Sequence, residues 1–273
     1  MSSIDEQIQN IKTRLVGATG VNVLLVEGSD DVDAFRILLD RRTTGWEKKW
    51  VLTHAGKKDA VIKMLRKEPS WQGIVDRDEW TDEEVEQHQT TVSNLFLLPR
   101  FCLESYLIDP NELWQALPEK QRNKLDNDYT KLESALSSYL PQWTRHAAIW
   151  HVANPLWRKL RGVGFNNVVL DTNQIKDDHE LLAIFQQWQN TLEPQTILDD
   201  IHKTLAMISV KPQTELYHKW LYAKDFYPSV INTVMNSLLG QKSAKERRQA
   251  LLKYLPIPND LEPLWQKMGL VTP

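Results

Sequence analysis

The chain predicts an α/β fold, a mostly parallel sheet flanked by helices, followed by a mainly helical second half. Three observations carry this. Strand-length segments recur at 21–26, 50–53, 71–75 and 94–98, the first of them a nearly continuous apolar run. Segments with apolar residues at helical spacing separate them, so the strands are joined by crossovers rather than hairpins. Beyond Pro110 the strand pattern gives way to long helical stretches.

In order, residues 4–16 form a helix, with Ile4, Ile8, Ile11 and Leu15 on one stripe, and Gly17 and Gly20 end it. Residues 21–26 read as a strand buried on both faces. Glu27 ends it, and Gly28 lets a ligand approach the backbone. A helix comes next at 31–42, burying Val32, Phe35, Leu38 and Leu39, with Ser29 or Asp30 as its cap. After the strand at 50–53, His54 to Gly56 turn into a helix at 58–67. Lys57 and Lys58 open that helix, where cations oppose its dipole; an anionic partner or solvent exposure explains them.

The strand at 71–75 delivers Asp76, Arg77 and Asp78. An acidic segment at 79–89 forms a loop or a short exposed helix. Pro99 breaks the strand at 94–98, and a short helix at 101–108 carries Glu104. Helices are then expected at 111–115, 125–140, 149–160, 179–191, 197–207, 214–222, 228–239 and 244–254, with one further strand at 165–170. We divide the chain into an α/β domain with its N-terminal helix at 1–110 and a helical region at 111–273 packed on it.

Composition bounds the function. With 273 residues, 41% of them hydrophobic and 25% charged, the chain can bury a sizeable core. Cys102 is its only cysteine, which excludes a disulfide framework and a cysteine-rich zinc module. No apolar run approaches the ~20 residues of a membrane span, and the N-terminus lacks a secretory core. A cytoplasmic protein without a membrane partner is expected. The net charge of −3 is uneven: residues 1–110 hold 14 basic against 19 acidic residues, whereas 219–273 hold eight against four. A local basic surface is compatible with the acidic total.

Four carboxylates stand out by position. Glu27 and the pair Asp76 and Asp78 come directly after strands, and Asp31 lies in a first helical turn, where it equally suits the helix dipole. Residues i and i+2 of a strand share a face, so Asp76 and Asp78 point together while Arg77 points away. If the first and third strands are neighbours, these acids converge at the carboxyl edge of the sheet, where open α/β sheets bind ligands. Such a group repels itself without a cation, and its all-oxygen donors suit Mg²⁺ or Mn²⁺.

The strand ending in V-E-G at 26–28 and the D-x-D at 76–78 resemble the TOPRIM domain of topoisomerases, bacterial primases and many nucleases. The E-x-x-x-D from Glu27 to Asp31 is similar to the OLD-type nuclease version. L-E-S-Y-L at 103–107 and W-x-x-x-K-D at 220–225 resemble a family of bacterial TOPRIM proteins that includes the nuclease effector of the PARIS anti-phage system. The TOPRIM resemblance covers roughly 20–110.

It implies a TOPRIM-like sheet and metal-dependent hydrolysis of a phosphodiester, with Glu27 in a metal or acid–base role and Asp31, Asp76 and Asp78 on the metal. Glu104 is a fifth candidate ligand. Lys57, Lys58 and Lys224 are candidates to hold the nucleic-acid backbone. The family further implies an RNA substrate, tRNA in particular, in preference to DNA, a toxic role in defence, and an ABC-type ATPase partner. The chain has no G-x-x-x-x-G-K-[ST], so that partner would supply the ATP site. An OLD-like DNA nuclease and a non-catalytic TOPRIM module regulated by an ATPase are the alternatives. A homodimer is compatible with the chain, although no heptad repeat marks a seam.

Other features read as structural. No H-x-x-x-H pair marks zinc, and His54 is an ordinary surface or core histidine. Trp157, Trp188 and Trp220 read first as core. Arg247 and Arg248, in K-E-R-R, read as a solvated helix face.

Overall fold

Strand β1 (Asn22–Val26) lies inside a four-stranded, all-parallel sheet in a computed structural model that describes residues 3–17, 20–78, 80–165, 169 and 177–270. It pairs with β2 (Trp50–His54) on one side and β3 (Gln72–Val75) on the other, and β4 (Leu95–Leu97) adds to β3. Leu24 is in register with Leu52 and with Gln72. Flanked on both edges and covered on both faces, Val23 to Val26 expose at most 1% of their surface, which explains their uninterrupted apolar sequence.

Helices α1 (Ser3–Ile11) and α3 (Lys58–Lys67) cover one face, where Ile8, Ile11, Val61 and Leu65 join Val23, Leu25 and Val75 in one core. Helix α2 (Ser29–Arg42) contacts β1 and β2 and buries Ala34, Phe35, Leu38 and Leu39. The approach of α3 to β3 requires Gly73, since a Cβ there would stand 2.6 Å from Leu65 Cδ1 and 2.8 Å from Val61 Cγ1. Asn94, ahead of β4, donates its side-chain amide to the carbonyls of Leu65, Glu68 and Trp71. It thereby closes the C-terminal end of α3 onto the next strand.

The acidic segment forms helix α4 (Asp82–Thr91), whose start is fixed by reciprocal bonds between Thr81 and Glu84. The expected cap of α2 differs. Gly28 is the cap residue, and Ser29 and Asp30 already belong to the helix.

Several helices of the second half also differ from expectation. The one predicted at 125–140 shrinks to Tyr129–Ser137, because Asp126 and Asn127 take left-handed backbone (φ 56° and 55°) and Asp128 caps the shortened helix. The one predicted at 149–160 lengthens to Leu140–Gly162. The segment predicted at 214–222 stops at Leu221, which is extended, after a π-helical turn at Leu216–Trp220. Helix restarts at Ala223–Phe226 and continues through a second π turn at Tyr227–Ile231, around Pro228, to Leu239. The strand expected at 165–170 falls largely outside the described residues.

Contacts group the chain into two units. One comprises 1–138, 217–219 and 223–273, so the last segment of the chain belongs with the sheet rather than with the remainder of 111–273. The other comprises 139–216 and 220–222, in which Leu140–Gly162 packs on Pro194–Ser209 and Trp150 stacks on Tyr222 with ring centroids 3.8 Å apart. Trp157, expected in the core, is 57% exposed and meets only the edge-on ring of Phe165 among the described aromatic contacts. Among the described residues no helix is long and apolar enough to cross a membrane.

Candidate metal centre

The strand order β2-β1-β3-β4 sends the chain from β1 to one side and later back to the other. The carboxyl ends of β1 and β3 therefore flank a topological switch point, where loops diverge and leave a crevice. Glu27 immediately succeeds β1 and Asp76 immediately succeeds β3. Glu27 Oε1 accepts the backbone N–H of Asp76 at 2.8 Å, tying the two strand ends together. One carboxylate oxygen from each of Glu27, Asp76 and Asp78 lies within 4.8 Å of the others, and this group can hold a metal ion.

Asp76 and Asp78 converge by a different route from strand alternation. β3 ends at Val75, and Asp78 takes left-handed backbone, φ 50°. Aspartate tolerates that region better than most residues, but it is a conformation the surroundings must impose. The loop after β4 imposes it: Asp78 N–H donates to Phe101 O at 2.7 Å, and Leu103 N–H donates to Asp76 Oδ1 at 3.2 Å. Arg77 turns aside to Asp82, 2.7 Å away.

Two lysines meet these acids. Lys224 Nζ stands 2.9 Å from Asp76 Oδ2 and 2.9 Å from Asp78 Oδ1. Lys58 binds the other oxygen of Asp78 and lies over the Trp80 ring, 4.4 Å from its centroid. Both lysines thus find anionic partners within the chain. Asp76 exposes 12% of its side chain, and burial, reinforced by the charges of Asp78 and Glu27, pushes its carboxyl up to about 7 despite Lys224. Burial also pushes Glu27 up. At Asp78 burial acts the same way, but Lys224 and Lys58 outweigh it and hold the carboxyl below its ordinary range. Lys224 is stabilised as a cation, since Asp76 and Asp78 more than offset its own burial.

The remaining candidates fall outside the 4.8 Å trio, although Asp31 lines a small pocket together with Glu27 and Asp76. Asp31 Oδ2 accepts the backbone N–H of Gly28 at 2.9 Å, so it holds the first turn of α2. Burial raises its pKa, with a further push from the charge of Glu104. Glu104, on the single helical turn Leu103–Leu107, pairs with Arg248 Nη1 at 3.0 Å. Lys57 and His54 are exposed.

Arg247 and Arg248 overturn the expectation of a solvated face. They expose 5% and 8%, Arg247 being bound by Asn232, Asn236 and Gly240 O, and Arg248 by Glu104 and Asp30. Sequence reasoning also missed Arg100, whose guanidinium forks onto Glu112 at 2.6 and 2.7 Å, reaches Asp260 at 3.0 Å and stacks over Tyr106. It braces the loop that holds Asp76 and Asp78, and its position directly after Leu98-Pro99 was the available signal.

No protein-family model matches this chain, and no curated protein matches it.

Proposed function

We propose that the chain is a metal-dependent TOPRIM nuclease that cleaves nucleic-acid phosphodiesters. The convergence of Glu27, Asp76 and Asp78 within 4.8 Å at the sheet's switch point carries the reading. The donor set fits a hard cation. It is all carboxylate oxygen, it is partly buried, and that burial, reinforced by the charges of Asp78 and Glu27, makes Asp76 hold a proton until about pH 7. Glu27, Asp76 and Asp78 would hold Mg²⁺ or Mn²⁺, which supplies polarisation of the phosphate and a more acidic bound water.

The chain's own residues do the rest. Glu27 keeps one oxygen on the Asp76 amide and has its second for a ligand or a proton, and burial favours the protonated state. Lys224 and Lys58 place two positive charges beside the acids, where a polyanion would otherwise be repelled. The TOPRIM resemblance extends the proposal to an RNA substrate, tRNA in particular, to a toxic role in anti-phage defence, and to action with an ABC-type ATPase.

The test is cleavage of purified tRNA, RNA and DNA with Mg²⁺ or Mn²⁺ by the wild type, Glu27→Gln and Asp76→Asn. Loss beyond the ~100-fold typical of a group that only orients a ligand is expected in both variants. Cleavage that persists in both, or in chelator, would falsify the reading.

One observation favours a second reading. Lys224 already supplies a cation to Asp76 and Asp78, as a non-catalytic module needs. Metal-dependent cleavage by the wild type that is lost in Asp76→Asn decides against it, whereas Mn²⁺ binding without any cleavage favours it.

A further inference from the structure

Beside the three carboxylates lies a cavity of about 250 Å³ lined by Asp30, Glu104, Lys224, Tyr227, Lys245 and Arg248, among others. Lys224 belongs to both sites, since its ammonium binds Asp76 and Asp78 while its side chain lines this cavity. The start of α2 and the start of the helix Ala244–Leu252 both contribute residues, so the positive ends of two helix dipoles lie nearby.

The ion pairs inside it are unequal. Arg248 exposes 9% of its side chain and is anchored from behind by Glu104, which exposes 16%. Asp30 bridges the two cations in front: Oδ1 is 3.1 Å from Lys245, and Oδ2 is 3.1 Å from Arg248 Nη2. Asp30 is 56% exposed and Lys245 59%, so this outer bridge is a solvent-screened pair that costs little to open. A carboxylate spanning a lysine and a buried arginine occupies the position an oxyanion would take.

We propose that this cavity is a phosphate subsite, in which a backbone phosphate of the substrate strand displaces the Asp30 carboxylate from Lys245 and Arg248. Identifying the phosphate as the strand's rests on the nuclease reading. Lys224 then separates the held phosphate from the carboxylates that act on its neighbour. Arg248, held by Glu104 through Nη1, provides the fixed contact through Nη2, and the more exposed Lys245 provides the second. Asp30 neutralises the two cations when no strand is bound.

The experiment uses the full chain in excess chelator, so that no metal on Glu27, Asp76 or Asp78 can hold an anion. Inorganic phosphate is titrated calorimetrically at fixed ionic strength. Binding should be about tenfold weaker in Lys245→Gln, the loss of one charge-assisted contact, and tighter in Asp30→Asn, which removes the competing carboxylate. Equal affinities in wild type and both variants would overturn the subsite. Both side chains are more than half exposed, so neither change threatens folding. A trinucleotide without terminal phosphates should compete with phosphate in the wild type; failure to compete overturns the assignment to a strand. Lys245-dependent phosphate binding in a protein that cleaves nothing with Mg²⁺ or Mn²⁺ would leave the subsite standing and remove the nuclease reading.

Discussion

Lys224 reaches back 146 residues to set its ammonium 2.9 Å from Asp78 Oδ1, and at the same distance from Asp76 Oδ2. In the metal-free protein it is the charge that lets two facing aspartates fold together beside Glu27. Replacing it by alanine leaves two largely buried carboxylates and one lysine, Lys58, on the far side of Asp78. Breaking a buried pair costs about 3–5 kcal/mol and an exposed pair close to nothing; Lys224 is 35% exposed, so a loss of ~2 kcal/mol is expected. Chemical denaturation of Lys224→Ala in chelator measures it. Mn²⁺ should restore most of the loss, because the cation takes over the neutralisation.

Asp76 makes the same site pH-dependent. In the unfolded chain an aspartate titrates near ~3.9. In the fold burial, with Asp78 and Glu27 close by, raises Asp76 to about 7. Across that window the folded state binds a proton that the unfolded state has released, so stability falls as pH rises, by at most ~1.4 kcal/mol per pH unit for one group. Glu27 is shifted in the same direction and adds to the slope. A divalent cation needs the deprotonated form, so its affinity should rise with pH up to about 7 and then level. Melting curves from pH 5 to 8, with chelator and with Mn²⁺, check both signs: the metal-free protein should lose stability with pH, and the metal-induced gain should grow.

The parts of this arrangement that the sequence makes legible are local. The strand at Asn22–Val26 is visible because burial on both faces demands an unbroken apolar run, and Glu27, Asp76 and Asp78 are visible because each comes just after such a strand. The force that brings the acids together is not local. The left-handed turn at Asp78 is held by Phe101 O, and its cations come from Lys58 and Lys224. K-E-R-R at 245–248 has the composition of a solvated face, and only the distant Asp30 and Glu104 make burial of Arg248 tolerable. Asn94 likewise satisfies three carbonyls that no spacing rule assigns to it.

Arg100 gives a prediction for the scaffold behind the site. Its side chain is 6% exposed and neutralises both Glu112 and Asp260, which are 26% and 31% exposed, while His218 approaches Glu112 and Asp109. Arg100→Ala should destabilise the protein by about 3–5 kcal/mol, the cost of leaving buried charge uncompensated. Arg100→Lys should recover only part, since an ammonium cannot fork onto Glu112 and cover Tyr106 together. Urea unfolding of the two variants separates loss of charge from loss of shape.

Asp31 carries two roles that substitution can divide. As the acceptor for Gly28 N–H it fixes the first turn of α2, the turn that leads the chain away from Glu27. Asp31→Ala should therefore lose ~1 kcal/mol, the usual value of a capping acceptor. Asp31→Asn keeps an oxygen for the same bond and removes a carboxylate that burial already drives toward its neutral form, so its stability should match or exceed the wild type. Thermal melts of the pair test the capping role, and a destabilised Asp31→Asn would overturn it. Mn²⁺ titration of the well-folded Asp31→Asn then isolates the charge: an unchanged affinity assigns Asp31 to the helix alone, and a weakened one adds it to Glu27, Asp76 and Asp78 as a ligand.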